Sequence, residues 1–244
     1  MPKWRDDNLN ILIPMAGAGS RFAKAGYVLP KPLIIVKDGK SMIELVIDNI
    51  NIDAHYIFVV QRSHYDQFNL ESIFTRLTSS HDVIQIDGIT EGAACTTLLA
   101  KSIIDCDKQL LIINSDQLLV WDSADFMKSM YGDISGGIMT LLSYDNSCKW
   151  SYAAVDNDIV IEVREKVPFS NHVTCGVYYW KHGNEYVRYA EQMIAGNKRV
   201  NGEFYVCPVY NEMISDGGII KNYLIQRFIG LGTPEDLESY VRGE

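Results

Sequence analysis

Three short apolar runs, at residues 9–15, 56–60 and 110–113, and a strand-like alternating segment at 82–86 are interleaved with stretches of helical periodicity. Runs this short, bounded by turn residues, read as buried strands. Ser41 with Glu44 three residues later makes a capping box, and the helix it opens would bury Met42, Leu45, Val46 and Ile50. A helical stretch runs from His64 towards Leu77, with Phe68, Ile73 and Leu77 as core contacts. Another covers 90–104 with a glycine near its start. This alternation implies a parallel sheet with right-handed crossovers.

After residue 120 the pattern changes. A helix at 123–131 precedes strands at 137–143, 152–155, 160–164 and 174–180, without long helices between them, and Asn157-Asp158 marks a tight hairpin. Helices at 185–195 and 208–215 and a strand at 223–229 follow. A closing helix at 234–241 has Thr233 as N-cap and Pro234 at N1. With 244 residues and 47% hydrophobic composition the chain can build one sizeable core. A single domain over residues 1–244 is expected, with halves of about 1–120 and about 121–244.

The first run ends in a loop of small residues, Ala16-Gly17-Ala18-Gly19-Ser20, followed at once by Arg21. Gly17 and Gly19 let the backbone take positive φ, so that successive N–H groups turn inward and cradle an anion. Arg21 can fork onto phosphate oxygens. Lys31 stands between Pro30 and Pro32, which fix the backbone around it and deny it a helix. An immobilised lysine near a glycine loop supplies a point charge for the same phosphates. The dinucleotide fingerprint is broken, because Phe22 takes the place of its third glycine, although Asp38 lies at the distance of a ribose acid. The Gly-Lys-Ser/Thr of the ATPase loop is absent. An ordinary strand-to-helix turn explains the glycines alone but not Arg21 with the Pro-Lys-Pro clamp.

The combination resembles the nucleotidyltransferase family that activates sugar phosphates, whose motif is Gly-x-Gly-x-Arg, a short spacer, then Pro-Lys-Pro and an apolar strand. Here these are Gly17-Ala18-Gly19-Ser20-Arg21 and Pro30-Lys31-Pro32-Leu33. The resemblance covers almost the whole chain, to Gly232-Thr233-Pro234. It implies an α/β fold of Rossmann-like, GT-A type: a mixed, mostly parallel sheet flanked by helices, with a smaller antiparallel acceptor-side lobe. It also implies an NTP triphosphate wrapped by Ala16, Gly17, Ala18, Gly19 and Ser20, with Arg21 and Lys31 on its phosphates and Ser115 beside the nucleotide.

Asp116 lies just past a buried strand, where open α/β sheets bind ligands. From position alone it is equally a turn aspartate; by resemblance it holds Mg²⁺ against the α-phosphate, an arrangement that suits magnesium. Relatives carry a second carboxylate two residues before the Gly-Thr pair. Here Gly230 occupies that position, and Asp236 falls too far along the closing helix to replace it.

The segment Glu91-Gly92-Ala93 matches the family's base-binding loop. The same residues also read as a plain helix start, with Thr90 as cap and Glu91 on the dipole. If Glu91 meets the base, its acceptor-only carboxylate favours an amino-bearing base, hence CTP or GTP. Glu165-Lys166 matches the family's acceptor-phosphate motif, with one extra residue before Pro168; as a bare sequence it is a surface charge pair. Gly176 matches a strand glycine that faces the sugar, and Glu203 and Tyr205 fall in the segment before the acceptor-side helix.

The reaction implied is in-line attack by an acceptor phosphate, a sugar 1-phosphate first among candidates, on the α-phosphorus of an NTP. Pyrophosphate leaves, and the NDP-sugar serves polysaccharide or capsule synthesis. Arg21 and Lys31 stabilise the leaving group while Lys166 holds the acceptor. Three alternatives stand beside it. One is a cytidylyltransferase for a small non-sugar phosphate such as phosphocholine. Another is a glycosyltransferase of the same architecture, which would want Asp-x-Asp where this chain has Asp116-Gln117-Leu118. The third is a non-catalytic nucleotide-binding module.

Net charge is −9. An acidic chain of this kind is not expected to bind nucleic acid. The five cysteines, at 95, 106, 148, 175 and 207, show no C-x-x-C pair and read as reduced. Neither a membrane span nor a signal-peptide core is seen, so a cytoplasmic location is expected, and a homo-oligomer is left open.

Overall fold

A computed structural model describes residues 3–243 of the chain. Strand β1 (Trp4–Pro14) starts the sheet earlier than the apolar run, with a register irregularity between Arg5 and Asn10 against its neighbour. A short helix α1 (Ser20–Lys24) and the ribbon β2 (Ile35–Lys37) and β3 (Lys40–Ser41) lead into α2 (Met42–Ile50), whose capping box is present. Helix α2 buries Ile43 and Ile47 alongside Met42, Val46 and Ile50, while Leu45 is only partly buried. Then come β4 (Ile52–Gln61), α3 (Arg62–Phe68) and α4 (Leu70–Leu77). The last two were expected as one helix. Asn69 breaks it by adopting φ 47°, and the buried contacts are Leu70 and Phe74.

Next are β5 (Ser80–Ile86), α5 (Ala93–Leu98), α6 (Lys101–Ile104) and β6 (Gln109–Ile113). The expected helix over 90–104 starts at Ala93, because Gly92 has φ 128° and cannot be helical. Thr90 does not cap it: its hydroxyl bonds the Gly92 carbonyl and Thr96.

The second half holds β7 (Gln117–Leu119), α7 (Ser123–Ser129), β8 (Gly136–Leu142), β9 (Ser151–Asp156), β10 (Ile159–Glu165) and β11 (His172–Trp180). It ends with α8 (Gly183–Ala195), α9 (Val209–Ser215), β12 (Ile220–Leu224), β13 (Phe228–Gly230) and α10 (Pro234–Arg242). Asn157 and Asp158 both take positive φ, 48° and 63°, as a two-residue β9–β10 hairpin requires.

Among the described residues nine strands form one sheet, in the order β5-β4-β1-β6-β11-β8-β12-β10-β9. The β5-β4-β1-β6 block is parallel, as the alternation implied. The rest is antiparallel apart from β8 with β12, so the sheet is mixed rather than mostly parallel. The antiparallel strands continue this sheet directly from β6. The expected strand at 223–229 is two strands. Exposed Gln226 and Arg227 separate β12, in the main sheet, from β13, which pairs with β7 outside it.

Parallel strands covered on both faces become continuously apolar. In β1, Ile11 and Ile13 point into one core and Leu12 into the other. Truncating Ile11 to alanine would cost about 2–5 kcal/mol, the usual range for a fully buried aliphatic side chain. The α2 layer closes one face and the α8–α9 pair the other. The carboxyl ends of β1 and β6, adjacent and parallel with Leu12 opposite Ile112, therefore open side by side onto the same edge.

Candidate active site

A cleft of about 960 Å³ runs along that edge. Of the residues the sequence singled out, Ala16, Gly17, Ala18, Gly19, Ser20, Arg21, Lys31, Gly92, Ala93, Ser115 and Asp116 line it, as do Glu165, Lys166, Gly176, Glu203 and Tyr205.

Glu91 is absent from that lining. Its carboxylate is turned out and pairs with Arg199. The preference for CTP or GTP, which rested on that carboxylate facing a base, has no support from this geometry.

At the β1 end, Gly19 takes φ 58° and a Cβ there would stand 3.4 Å from the Lys31 Cβ, so the loop closes directly onto Lys31. Gly17 needs no positive φ; its side-chain direction is open space. The flanking prolines were expected to deny Lys31 a helix; it opens a single 3-10 turn, Lys31–Leu33, in which a proline near the N-terminus is tolerated. Its ammonium lies 5.8 Å from the Phe22 ring centroid and donates to Asp116 Oδ2. Asp116 is held from behind, where its carbonyl accepts from Leu231 N at 2.8 Å.

Gly230 sits in β13 opposite Gln117, and a Cβ on it would lie 3.8 Å from Asp236 Oδ2. Asp236 is therefore not too far along the closing helix. Thr233 caps α10 by accepting from Asp236 N at 3.1 Å, and this first turn brings the carboxylate to the cleft. A Cβ on Gly232 would stand 3.3 Å from Asp116 Oδ2. The two glycines thus leave room beside both carboxylates.

The far end is built on antiparallel strands. Lys166, just past β10, adopts φ 58°, and its N–H donates to the Trp150 carbonyl at 2.8 Å. Its ammonium donates to Tyr205 Oη. Burial pulls the Lys166 pKa down, but the Tyr205 bond and the charges of Glu165 and Glu203 outweigh it and leave the lysine above its ordinary value. Glu165 is nearly buried and accepts from Ser151 Oγ. Burial raises its pKa, against the pull of Ser151 and Lys166. Trp150 and Phe228 meet edge to face, centroids 5.2 Å apart, as an aromatic wall.

Gly176 has φ 64°, and a Cβ there would overlap Asn114 and stand 2.8 Å from Gln117 Oε1. It lies in a register break of β11 against β8, between Thr174 and Tyr178, so β11 bulges where β6 ends. Its missing side chain serves that packing as well as the cleft. Asn114, Gln117, Lys149, Trp150, Tyr178 and Asp236 line the site without having been singled out or placed by sequence reasoning. Only Trp150 beside Lys149, an aromatic next to a cation in a polar stretch, offered a local signal.

Comparison with known proteins gives the family and the fold. The solved nucleoside-diphosphate-sugar pyrophosphorylase of Vibrio cholerae RC9 is similar at 25% identity and TM-score 0.81, covering 95% of this chain and 99% of that one. The inositol-1-phosphate CTP transferase of T. maritima is similar in fold at 15% identity and TM-score 0.76, covering 96% and 93%. A UDP-glucose pyrophosphorylase with UDP-glucose bound shares the fold at 15% identity and TM-score 0.74, covering 100% and 98%. No curated protein matched. The sequence profile of the Nucleotidyl transferase family matches residues 11–209, most of the chain, and the protein belongs to that family of nucleotide-transferring enzymes.

Proposed function

We propose that the protein moves a nucleoside monophosphate from an NTP to a small phosphorylated acceptor, a sugar 1-phosphate first among the candidates, and releases pyrophosphate. The observation that carries this is one cleft lined by cations from two separate places in the chain, which in this reading meet two different phosphates. Arg21 and Lys31 stand beside the glycine loop, and Lys166 comes from the antiparallel half. A glycosyltransferase of the same architecture does not need Lys31. The sugar-nucleotide enzymes among its structural neighbours support the acceptor class, and the product would be an activated sugar for polysaccharide assembly.

In this reading Lys31 exchanges Asp116 for the triphosphate and, with Arg21, neutralises the leaving pyrophosphate. Lys166, held on Tyr205, orients the acceptor phosphate for in-line attack, and no covalent intermediate is required. Positioning and charge neutralisation account for such catalysis.

The residues fit Mg²⁺. Asp116 already receives one cation, the Lys31 ammonium, and Asp236 offers a second carboxylate across the space left by Gly230 and Gly232. Hard oxygen donors of this kind, completed by phosphate and water, suit magnesium. Bound there, Mg²⁺ would supply neutralising charge and Lewis acidity at the α-phosphate.

The test is a matrix of CTP, GTP, UTP, dTTP and ATP against glucose 1-phosphate, other sugar 1-phosphates, inositol 1-phosphate and phosphocholine, with Mg²⁺ present and pyrophosphate followed. The active pair names the substrates. Turnover that requires an NDP-sugar donor would make the protein a glycosyltransferase, and NTP binding without pyrophosphate from any pair would leave only a binding module.

A further inference from the structure

Two loops from opposite halves of the chain meet behind the cleft. The Phe204 N–H donates to the Glu91 carbonyl at 2.8 Å, and the Phe204 carbonyl accepts from Ala94 N at 3.0 Å. Gly92, at φ 128°, permits this approach, since a Cβ would stand 2.6 Å from Phe204 N and overlap its carbonyl oxygen. On one side of the seam Thr90, Gly92 and Ala93 line the cleft; on the other, Glu203 and Tyr205 do. Tyr205 receives the Lys166 hydrogen bond.

One side chain outside the cleft spans both loops. The Arg199 guanidinium pairs with the Glu91 carboxylate and donates to the Gly202 carbonyl at 3.0 Å and to Asn197 Oδ1 at 2.7 Å. It also lies 4.0 Å over the Phe204 ring. An isolated exposed ion pair contributes only about 0–1 kcal/mol. Here the planar fork meets three acceptors and a ring face at once, which fixes its orientation and which a lysine cannot reproduce. The tight turn beneath it, with Asn201 and Gly202 at φ 50° and 83°, carries Glu203 directly.

We propose that Arg199 is a positioning residue that couples the two substrate sites: through Glu91 and Phe204 it ties the nucleotide-side loop to Glu203, Tyr205 and, through Tyr205, Lys166. Filling the nucleotide half then orders the acceptor half. The inference rests on the two-substrate reading above.

Hydrogen exchange on the full chain tests it, with each of CTP, GTP, UTP, dTTP and ATP plus Mg²⁺ as probe, in wild type, Arg199→Lys, Arg199→Ala and Glu91→Gln. In wild type the bound NTP slows exchange at residues 88–98 and also, by roughly tenfold, at 199–208, an ordinary size for coupling between sites. In Arg199→Lys and Arg199→Ala the protection at 88–98 stays, while that at 199–208 falls below about twofold; Glu91→Gln retains part of it. Should Arg199→Ala fail to fold, Arg199→Lys decides alone. Protection of wild type at 88–98 only would show independent loops and overturn the coupling while leaving nucleotide binding intact. Full protection of both segments in Arg199→Lys would remove Arg199 as the connector. No protection by any NTP would reject the nucleotide reading, and the coupling with it.

Discussion

At the glycine-loop end of the cleft, backbone does most of the positioning. Gly19, in the loop after β1, closes on Lys31 in its 3-10 turn, and Lys31 meets the carboxylate of Asp116, which follows the adjoining parallel strand β6. At the other end side chains hold one another. Lys166 leans on Tyr205, Glu165 on Ser151, and the Tyr205 bond with the charges of Glu165 and Glu203 raises the Lys166 pKa against its burial. The first arrangement suits a ligand part common to every NTP. The second can discriminate among acceptors, because each donor and acceptor has a fixed partner that a wrong ligand would leave unpaired.

The sharpest way to break this contrast is at the first end. Lys31→Ala and Arg21→Ala should each lower turnover by about two to three orders of magnitude, the usual loss when a charge that stabilises the transition state is removed. Asp116→Asn should lose roughly a hundredfold or more with the fold intact, because it removes the anionic partner of Lys31 and, in the proposed reading, the anionic donor to Mg²⁺. Steady-state pyrophosphate release measures all three. Near-normal rates in any of them would take that residue out of the reaction.

At the second end a different kinetic constant should move. Lys166→Ala should raise the acceptor KM by about 10- to 100-fold, the worth of one charge-assisted hydrogen bond, and change the NTP KM by less than about threefold. Equal losses for both substrates would mean the two ends are not separate sites.

The boundary between the ends carries a smaller effect. Asp236→Asn should weaken Mn²⁺ binding to the enzyme–NTP complex about tenfold, read by spin-resonance titration rather than turnover. Unaltered affinity would leave Asp236 as a first-turn residue of α10 only.

The same contrast explains what could be read from the sequence. The glycine loop, Arg21 and the Pro-Lys-Pro clamp lie close together in sequence, joined through α1 and a short loop, so their spacing is local. The capping box of α2 and the hairpin at Asn157-Asp158 are equally local. Asp236 is different: its place depends on β13 leaving the main sheet to pair with β7, which turns the start of α10 back over Asp116. No spacing rule encodes that. Glu91 is hidden from the sequence for a related reason: Gly92 and Ala93 of its loop reach the cleft, but the direction of its own side chain is set by Arg199, 108 positions away. The break at Asn69 was legible in principle, because asparagine tolerates a left-handed conformation, but the periodicity on both sides hid it.

Glu165 gives the finest test of how the second end differs from the first. Burial raises its pKa above the ordinary glutamate value. The folded protein therefore keeps this carboxyl protonated over a pH range in which the unfolded chain has already ionised it. Its contribution to stability is fully present below the unfolded value and is lost as pH rises from there to the raised folded value; above that window it is constant. Glu165→Gln keeps an oxygen to accept from Ser151 but carries no titrating proton. Relative to wild type the variant should gain stability as pH climbs through that window and hold the gain at neutral pH, while the acceptor KM rises less than in Lys166→Ala. Urea melts of both proteins at pH 4, 5, 6 and 7 measure the difference. Parallel stability profiles would mean that Glu165 is hydrated in solution, and the acceptor end would then be as open to water as the triphosphate end.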